Sequence, residues 1–546
     1  MNSNNEKNAS KSVKSLFFSG VFALTLANIL VKAVGLASKI VLNRVVGSIG
    51  AGYYSSAYEI YAYLYVISTS GLPVALSILV SRSRARGRIK EAKRIFDISF
   101  ITLLLIGAFF SVIMIIFSDQ IASLIGAPQT SLCIIAIAPT MLFICLSSSI
   151  RGYFQGFQLM GPTAVSQLIE AVSKVGIGVA LALWAKSKGY DDYVVSAYTI
   201  LGVTIGVLLG MIFLHIRKIF FKEKNYSYIP EIEKAENDKK TAKQILKELF
   251  LIALPITLSS SVLSLTTVID TLMVQNRLLG SGMNEIAVRV YYGDYTSLVI
   301  SMFNLPTIFF YPIANALIPL ISATHEARNE ERAERIRALS LKVVILIAMP
   351  CAMGLGVFSK PILELLMFSK DSVQRSAPWL SIASVSVLFL GIISVTNAFL
   401  NSAGKQKLPI ISMLVGAGAK LISNYFLLEK IGMLGAPIST VICYLFASTL
   451  NIYFTMKHVG NLPKLSKILI LPFIASVLSI GTGALLHIGI AVSLPSNLST
   501  IASIIVAVFL YFILSFKIKA IEKNDILLLP KGEKIANFLV KIRFLK

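Results

Sequence analysis

The sequence predicts an all-α integral membrane protein of about 14 transmembrane helices, arranged as two parallel six-helix bundles plus two additional C-terminal helices. Of its 546 residues, 55% are apolar and 14% are charged, and its mean hydropathy is +0.77. Soluble globular proteins carry far more charge. Apolar stretches long enough to cross roughly 30 Å of hydrocarbon recur along the chain. Parts of the first half also recur in the second.

The apolar stretches have the length of membrane-spanning helices, about 20 residues each. The first follows Lys7, Lys11 and Lys14, as a secretory signal would, but it is too long for a signal peptide and we expect it to be retained. GLP at 71–73 and Pro139 lie inside stretches and are expected to bend helices. The stretches lie near residues 16–42, 53–80, 97–117, 131–150, 162–185, 193–215, 248–275, 295–321, 340–358, 378–400, 408–428, 436–456, 467–489 and 497–517.

The positive charge is concentrated in alternate connections between these stretches. The formal net charge is +24. Basic residues crowd segments 81–94, 217–247, 325–337 and 404–407 and the tail after residue 517. The intervening segments 118–130 and 489–499 contain no Lys or Arg. By the positive-inside rule, this alternation predicts cytoplasmic N- and C-termini in the cell membrane. Because topology accounts for the charge, we expect no nucleic-acid partner.

One motif of the first half recurs in the second half. The stretch "NRVVGSIGAGYYSS" at 43–56 is matched by "NRLLGS" at 276–281 and "GDYTS" at 293–297. Within segments 72–95 and 312–336, the coinciding residues are likewise 241 positions apart. Each copy holds six spans and starts on the same side, so the copies have the same orientation. Parallel repeats in transporters are related by an axis along the membrane normal, with the substrate between them.

The repeat and the charge pattern together predict six segments. They are a cytoplasmic N-terminus (1–15), an N-terminal six-helix bundle (16–220), a basic cytoplasmic linker (221–247), a C-terminal six-helix bundle (248–458), helices 13 and 14 (459–517) and a cytoplasmic tail (518–546). In the tail, Ile535, Phe538 and Leu539 share one helical face. The tail is therefore predicted to lie on the membrane surface as an amphipathic helix.

Several of these stretches resemble one transporter family. "NRVVGSIGAGYYSSAYEIY", "GLPVALS", the basic stretch after it and "RGYFQGFQLMGPTAVSQLIE" are similar to the MurJ- and SpoVB-like flippases of the multidrug/oligosaccharidyl-lipid/polysaccharide superfamily. The Gram-positive polysaccharide-biosynthesis branch is the most similar. The resemblance covers about residues 15–520.

The resemblance implies a monomeric flippase that moves an undecaprenyl-linked sugar precursor, such as lipid II, from the inner to the outer leaflet by alternating access. It implies a membrane potential or a coupling ion as the energy source, and a groove for the lipid tail at helices 13 and 14. In the MurJ branch, cationic residues of the first span face the cavity, and Lys32 and Arg44 match two of them. Ser38 and Lys39 stand where that branch has an arginine and an aspartate.

The first charged set inside the predicted spans is Lys32, Lys39 and Glu59. An ionisable group at the bilayer centre costs about 2.5–3.5 kcal/mol on insertion scales, so each one requires a reason. Two lysines could bind a pyrophosphate and return to Glu59 when the substrate is absent. The alternative is structural: Lys39 reaches the headgroups and Lys32 pairs permanently with Glu59.

The second charged set consists of the aligned residues Lys174 and Lys420, each near the middle of its span. Glu170 lies one helical turn before Lys174 and could neutralise it. Lys420 has Gly416 at the corresponding position and therefore lacks such a local partner. Both lysines are candidate substrate ligands, with pairing inside the protein as the alternative.

Four residues are candidates for gating or coupling, namely Arg151, Asp270, Arg277 and Glu170. Arg151, at the inner end of span 4, could bind phosphate or serve an ordinary tight helix connection. Asp270 and Arg277 could form an outer gate or an ion-coupling site, or a plain pair within one helix. We predict no cofactor and no metal site, because the His and Cys residues do not cluster with ligand spacing and there is no phosphate-binding GxxxxGK[ST] loop. Cys133, Cys145, Cys351 and Cys443 are interpreted as small buried apolar residues.

Two other functions fit parts of this pattern. A cation-coupled multidrug exporter shares the bundle architecture, but its cationic substrates would not require a positively charged cavity. A polyprenyl-dependent membrane glycosyltransferase would need carboxylates in a large outer loop. The predicted outer segments hold one acidic doublet, Asp191–Asp192. The sequence therefore favours a non-enzymatic flippase over both.

Overall fold

The computed structural model describes residues 3–221, 241–310, 330–366, 369–463, 465–490 and 495–522. The side chains of the first 29 residues and of several others, including Lys32 and Lys39, lie outside the described part. Most of the basic linker and the tail after Pro530 also lie outside it, so the amphipathic tail helix stays a prediction.

The first of two compact units comprises residues 1–279 and 284–293. Its helices are α1 (Ser3–Thr69), α2 (Leu72–Ala85), α3 (Ile89–Ile116), α4 (Ser118–Leu124), α5 (Ser131–Ile137), α6 (Pro139–Gly156), α7 (Gly161–Ser187), α8 (Asp192–Ile219), α9 (Ala242–Gly280) and α10 (Glu285–Asp294). One core of this unit packs Ala57 of α1 against Ile134, Ile137 and Met141. A second core packs Leu76 of α2 and its neighbours against α9.

The second unit comprises residues 280–283 and 294–546. A single π-helical turn, Tyr295–Val299, follows α10. The helices of this unit are α11 (Ile300–Asn304), α12 (Glu330–Val357), α13 (Ser359–Leu365), α14 (Lys370–Ser384), α15 (Ser386–Ser402), α16 (Lys407–Ile431), α17 (Gly435–His458), α18 (Leu465–Ile490) and α19 (Ser496–Lys517). Phe310, Val344, Val387 and Phe399 form its core.

The described residues contain eleven helical segments long and apolar enough to cross a membrane. The segment Lys407–His458 contains both α16 and α17, and Val41–Arg84 contains the end of α1 together with α2. The all-helical membrane fold is therefore confirmed. The figure of fourteen spans stays a prediction, because part of the span at 295–321 lies outside the described residues.

Glycine and proline interrupt the helices of the first unit at three places. α1 bends at Gly47, whose φ of 73° and ψ of 178° are non-helical. A second break follows Thr69, and Pro73 then opens α2. Pro139 separates α5 from α6 in the same way. The connection at 43–52 is thus one bend at a glycine with a left-handed φ, whereas the predicted spans 16–42 and 53–80 had left these ten residues between two helices.

The bend also explains why the repeat changes its offset. Gly47 of "NRVVG" corresponds to Gly280 of "NRLLG", 233 residues later. In the first copy the helix resumes directly after the glycine. In the second copy α9 ends at Gly280 and α10 begins at Glu285 after a turn. These added residues help to raise the offset to the 241 seen at "GDYTS".

The close packing of α7 against α8 depends on three glycines spaced four apart, Gly202, Gly206 and Gly210. A Cβ on Gly206 would lie 2.9 Å from the Glu170 carbonyl oxygen. A Cβ on Gly210 would lie 2.6 Å from Cγ of Glu170. Helix association in membranes relies on such small residues, because lipid removes the hydrophobic driving force between helices. The glycines of α8 therefore make room for the charged middle of α7.

We expect Gly206→Val to destabilise the protein, because the added side chain must push α7 away from α8. Overpacking of this kind costs about 1–3 kcal/mol. The matched control is Gly176→Val on α7, where a Cβ would meet nothing within 4 Å. The measurement is thermal unfolding in detergent, in which Gly206→Val should lower Tm by several degrees relative to Gly176→Val. Equal values would contradict the packing argument.

Candidate functional site

A buried ion pair lies inside the first unit, between α6 and α7. The guanidinium of Arg151 donates to Oε1 of Glu170 through Nη2 and to Oγ of Ser166 through Nε, the latter over 3.0 Å. Arg151 is 6% exposed. The carboxylate of Glu170, predicted as a possible partner of Lys174, forms its ion pair with Arg151 on the neighbouring helix. Arg151 thus has an ion-pair partner within the fold, while its predicted roles in phosphate binding or in the helix connection both stay predictions.

Lys174 lies one helical turn beyond Glu170, at the middle of α7. Its ammonium group donates to the phenol oxygen of Tyr58 on α1 over 3.2 Å. The Nζ atom also lies 4.3 Å from the centre of the Tyr58 ring, within the range of a cation–π interaction. Within the described part of the chain, its hydrogen bond goes to a neutral phenol and not to a carboxylate. The Lys174 ammonium therefore has a phenol as its hydrogen-bond partner, while the carboxylate of Glu170 is held by Arg151.

Tyr58 belongs to a ladder of four tyrosines along one face of α1. Their spacing of three and four residues places Tyr54, Tyr58, Tyr61 and Tyr65 one above the other. Successive ring centres are 5.7, 5.8 and 5.9 Å apart. Sequence reasoning missed this ladder, although "YYSSAYEIYAYLY" displays the helical spacing. The ladder gives α1 a face of aromatic rings and phenol oxygens, and Lys174 contacts this face at Tyr58.

The remaining predicted residues of α1 are only partly described. Lys32 and Lys39 lie on α1, but their side chains are outside the described part, so their pairing with Glu59 stays a prediction. Glu59 is partly buried and Arg44 is exposed, and each has an interaction partner. Glu59 is the sequence neighbour of Tyr58, which contacts Lys174.

A second polar cluster lies in the first unit, where α9 and α10 meet α1. Asp270 is 5% exposed and Arg277 is partly buried, both on α9. Both have interaction partners. Between them on α9, Gln275 donates to Oγ of Ser56 over 3.0 Å. The proposed roles of Asp270 and Arg277 in gating or ion coupling stay predictions.

The centre of this second cluster is Arg289, a residue that sequence reasoning missed. Its side chain is buried completely and donates to Oε1 of Gln275 and to the Gly126 carbonyl. The guanidinium carbon lies 5.9 Å from the Tyr53 ring centre. Segment 285–294 had been interpreted as a connection before the span at 295–321. The sequence offered one signal for Arg289, which is its position four residues before the glycine of the repeated motif "GDYTS".

In the second unit, Lys420 lies on α16 and is 2% exposed. It has at least one interaction partner. Gly416, one turn earlier, is required for packing, since a Cβ there would lie 2.6 Å from the Cys443 carbonyl oxygen on α17. The glycine therefore occupies the position that Glu170 takes in the first repeat. A direct role of Lys420 in substrate binding stays a prediction.

The second unit also contains a buried acid that the sequence analysis did not single out. Asp294 is fully buried, and its Oδ2 accepts from Nε and Nη2 of Arg375 at 3.0 and 2.8 Å. Both residues of the pair belong to the second unit. In the described residues, no group of three or more His, Cys, Asp or Glu side chains is placed to hold a metal ion.

Comparison with protein families gives two matches. The family described as "Polysaccharide biosynthesis protein" matches residues 17–325, more than half of the chain. The family described as "MatE" matches residues 255–426.

Individual relatives are similar over most of the chain. Stage V sporulation protein B of Bacillus subtilis (strain 168) is 24% identical over 534 residues, which cover 95% of this chain and 98% of that protein. The lipid II flippase MurJ of the same organism is 24% identical over 464 residues, which cover 82% of this chain and 84% of that protein.

A solved structure of the lipid II flippase MurJ in an inward closed conformation has the same fold. Its TM-score is 0.68 at 16% identity, and the match covers 90% of this chain and 97% of that one. The chain therefore has the fold of a multi-pass, all-helical membrane transporter.

Proposed function

Because the chain belongs to the polysaccharide biosynthesis protein family, we propose that it is a flippase for an undecaprenyl-linked cell-wall or polysaccharide precursor. The precursor, which resembles lipid II, moves from the inner to the outer leaflet by alternating access. Similarity to a lipid II flippase over 82% of the chain supports this assignment. The protein contributes a polar path for the headgroup and performs no covalent chemistry.

The observation that carries the proposal is the Lys174 ammonium, which donates to the Tyr58 phenol while the Glu170 carboxylate is paired with Arg151. A pyrophosphate would give the Lys174 ammonium a negatively charged partner in place of the neutral phenol. Exchanging a phenol for a phosphate oxygen is favourable, because a hydrogen bond to a charged group is worth about 1.5–3 kcal/mol and a neutral one about 0.5–1.5. Arg151 is the weaker candidate ligand, since releasing it would leave Glu170 buried and unpaired. Removing one partner of such a pair costs about 3–5 kcal/mol.

The tyrosine ladder extends the same surface to a sugar. Aromatic rings present apolar faces, and phenol groups both donate and accept hydrogen bonds. A glycan has both kinds of surface, so Tyr58 and Tyr65, which are partly buried, suit the sugar next to the pyrophosphate. Lys174 then holds the phosphates at the middle of α7. The lipid tail stays in the bilayer while the headgroup follows the polar surface.

The proposal assigns both termini to the cytoplasm and the basic connections to the inner surface, as the charge pattern indicates. The protein acts as a monomer, and a membrane potential or a coupling ion drives the cycle. Lys32, Lys39, Lys420 and Arg44 are further candidate ligands. Asp270 and Arg277 are candidate gating or coupling residues.

A multidrug exporter is the second candidate function, because the MatE family matches residues 255–426. An exporter of organic cations would place carboxylates in its binding site. In the first unit, however, the buried Glu170 is paired with Arg151, and the Lys174 ammonium donates to a phenol. That arrangement favours an anionic substrate. A glycosyltransferase has no comparable support, because the described carboxylates near this site, Glu170 and Glu59, each have an interaction partner.

A transport assay with purified protein tests the proposed function. Proteoliposomes would contain an undecaprenyl pyrophosphate sugar with a fluorescent label, and an impermeant quencher would report its movement between leaflets. We expect accelerated movement of this lipid and no effect on a labelled zwitterionic phospholipid. Uptake of an organic cation without movement of the pyrophosphate lipid would contradict the flippase assignment and support the exporter.

A further inference from the structure

A buried guanidinium lies near the start of α12, in the second unit. Arg337 is 1% exposed, and its Nη2 donates to Oε1 of Glu330 over 2.5 Å. Its Nε and Nη1 atoms have no hydrogen-bond partner within the described part of the chain. Buried polar groups are nearly always hydrogen-bonded, because burial without an acceptor costs free energy. Most of the N–H groups of Arg337 are therefore suited to a further oxygen ligand.

Glu330 uses only part of the binding capacity of Arg337. The two residues are seven positions apart, so they share one face of α12 across two helical turns. The Glu330 side chain is 64% exposed, whereas that of Arg337 is 1% exposed. Water already solvates much of an exposed carboxylate, which lowers what that carboxylate gains from an ion pair. A stronger anion can therefore replace Glu330 at Nη2 without leaving a buried carboxylate unpaired.

Gly460, in the turn after α17, borders the same guanidinium. A Cβ on Gly460 would lie 2.6 Å from Nη2 of Arg337 and 2.9 Å from Oε1 of Glu330. The φ of Gly460 is 137°, in the region that favours glycine. Its neighbour Val459 belongs to the same apolar core as Ile336 of α12, which fixes the turn against the helix. The turn therefore leaves room for an oxygen ligand at a guanidinium that is already in place.

Arg337 lies at the depth expected for phosphate groups of the inner leaflet. The predicted apolar stretch 340–358 begins three residues later, about 4.5 Å along a helix. The charge pattern assigns the basic segment 325–337 to the cytoplasmic side. Exposed cations lie near the same ends of the helices, with Arg335 on α12 and Lys457 on α17. Such cations attract anions to the inner membrane surface.

We propose that Arg337 binds a phosphate group at the inner end of the second unit. Two phosphate oxygens accept from Nη2, which Glu330 then leaves, and from either Nε or Nη1 beside it. Arginine forms such paired hydrogen bonds with phosphate because its fork is planar and always charged. The phosphate belongs to a lipid headgroup or is free in solution. The inference goes beyond the proposed function and does not rest on it.

Thermal unfolding of the full-length protein in an uncharged detergent tests the site. The probes are inorganic phosphate and, in mixed micelles, phosphatidylglycerol. A ligand that binds the folded protein raises Tm, and the dependence on concentration gives an apparent Kd. We expect Glu330→Gln to lower the apparent Kd of at least one probe about tenfold, because glutamine does not compete as an anion for Nη2. Parent-like affinity of Glu330→Gln for both probes would overturn the site.

The matched control is Glu331→Gln. Glu331 is the next residue along α12 and pairs with the exposed Arg335, so its replacement removes one negative charge without changing the partner of Arg337. Its apparent Kd should equal that of the parent. If Glu331→Gln tightened binding as much as Glu330→Gln does, net charge would be the cause and the assignment to Arg337 would fail.

Arg337→Lys tests the guanidinium directly. Lysine keeps the positive charge but loses the planar fork, so the apparent Kd should rise about tenfold. Unchanged affinity would contradict the proposal. If Arg337→Lys does not accumulate in the membrane, the comparison of Glu330→Gln with Glu331→Gln decides. A purely structural ion pair predicts the opposite result for Glu330→Gln, which is a lower Tm that neither probe restores.

The two probes also identify the source of the phosphate. Variant effects confined to phosphatidylglycerol would assign the site to a lipid headgroup, and effects on inorganic phosphate would assign it to a free phosphate. Lys174 lies in the first unit and Arg337 in the second. Failure of the phosphate site therefore leaves the flippase proposal standing, and failure of lipid transport leaves the phosphate site standing.

Discussion

Lys174→Gln is expected to reduce transport of an undecaprenyl pyrophosphate sugar by about tenfold to one hundredfold. The loss corresponds to one hydrogen bond between charged groups, about 1.5–3 kcal/mol. Glutamine keeps a hydrogen-bond donor for Tyr58 but has no charge for the pyrophosphate. The measurement is the initial rate of lipid movement in proteoliposomes with equal amounts of folded protein. Unimpaired transport by Lys174→Gln would remove the observation on which the proposed function depends.

Two variants control for structural damage. Lys186→Gln changes a lysine on the same helix that is exposed and donates to the Val45 carbonyl over 2.9 Å, and we expect its transport to match the parent. Lys174→Arg keeps the charge and should retain most of the activity. If Lys174→Gln lowers Tm as well as the transport rate, the lysine has a structural role. A residue that only binds the substrate would affect transport without lowering Tm.

Arg151→Met is expected to destabilise the protein by about 3–5 kcal/mol, because it leaves Glu170 buried without its cation. The measurement is thermal unfolding in detergent together with the amount of protein in the membrane. Arg151→Met/Glu170→Met should recover much of the loss, since replacing both charges by apolar groups removes the desolvation cost of each. A double variant as unstable as Arg151→Met would contradict this explanation.

An exposed ion pair supplies the control for Arg151. Arg335 and Glu331 form a pair at 2.6 Å with side chains 75% and 77% exposed. Exposed pairs contribute about 0–1 kcal/mol, because water already solvates both charges. Arg335→Met should therefore leave the unfolding temperature almost unchanged. A large effect there would mean that the buried position of Arg151 is not the cause of its contribution.

The fold class follows from composition alone, since a chain this apolar has few ways to satisfy its backbone in lipid other than helices. The breaks at Gly71–Pro73 and Pro139 were also predictable, because glycine and proline act locally. The bend at Gly47 was not, since a single left-handed residue and a short loop look alike in sequence. The pairing of Glu170 with Arg151 was not predicted for a similar reason. Helical spacing identifies the neighbours of a residue on its own helix, but not those contributed by the next helix.

By itself, the sequence determined that the chain spans a membrane, that its charge is placed by topology and that one motif occurs twice. These properties depend on residue type and on position along the chain. The tertiary structure alone decided that Arg151 pairs with Glu170 and that Arg289 on α10 reaches Gln275 and the Gly126 carbonyl. Such contacts join residues 14 to 163 positions apart, and packing selects them because a buried charge must find its partner wherever the fold provides one.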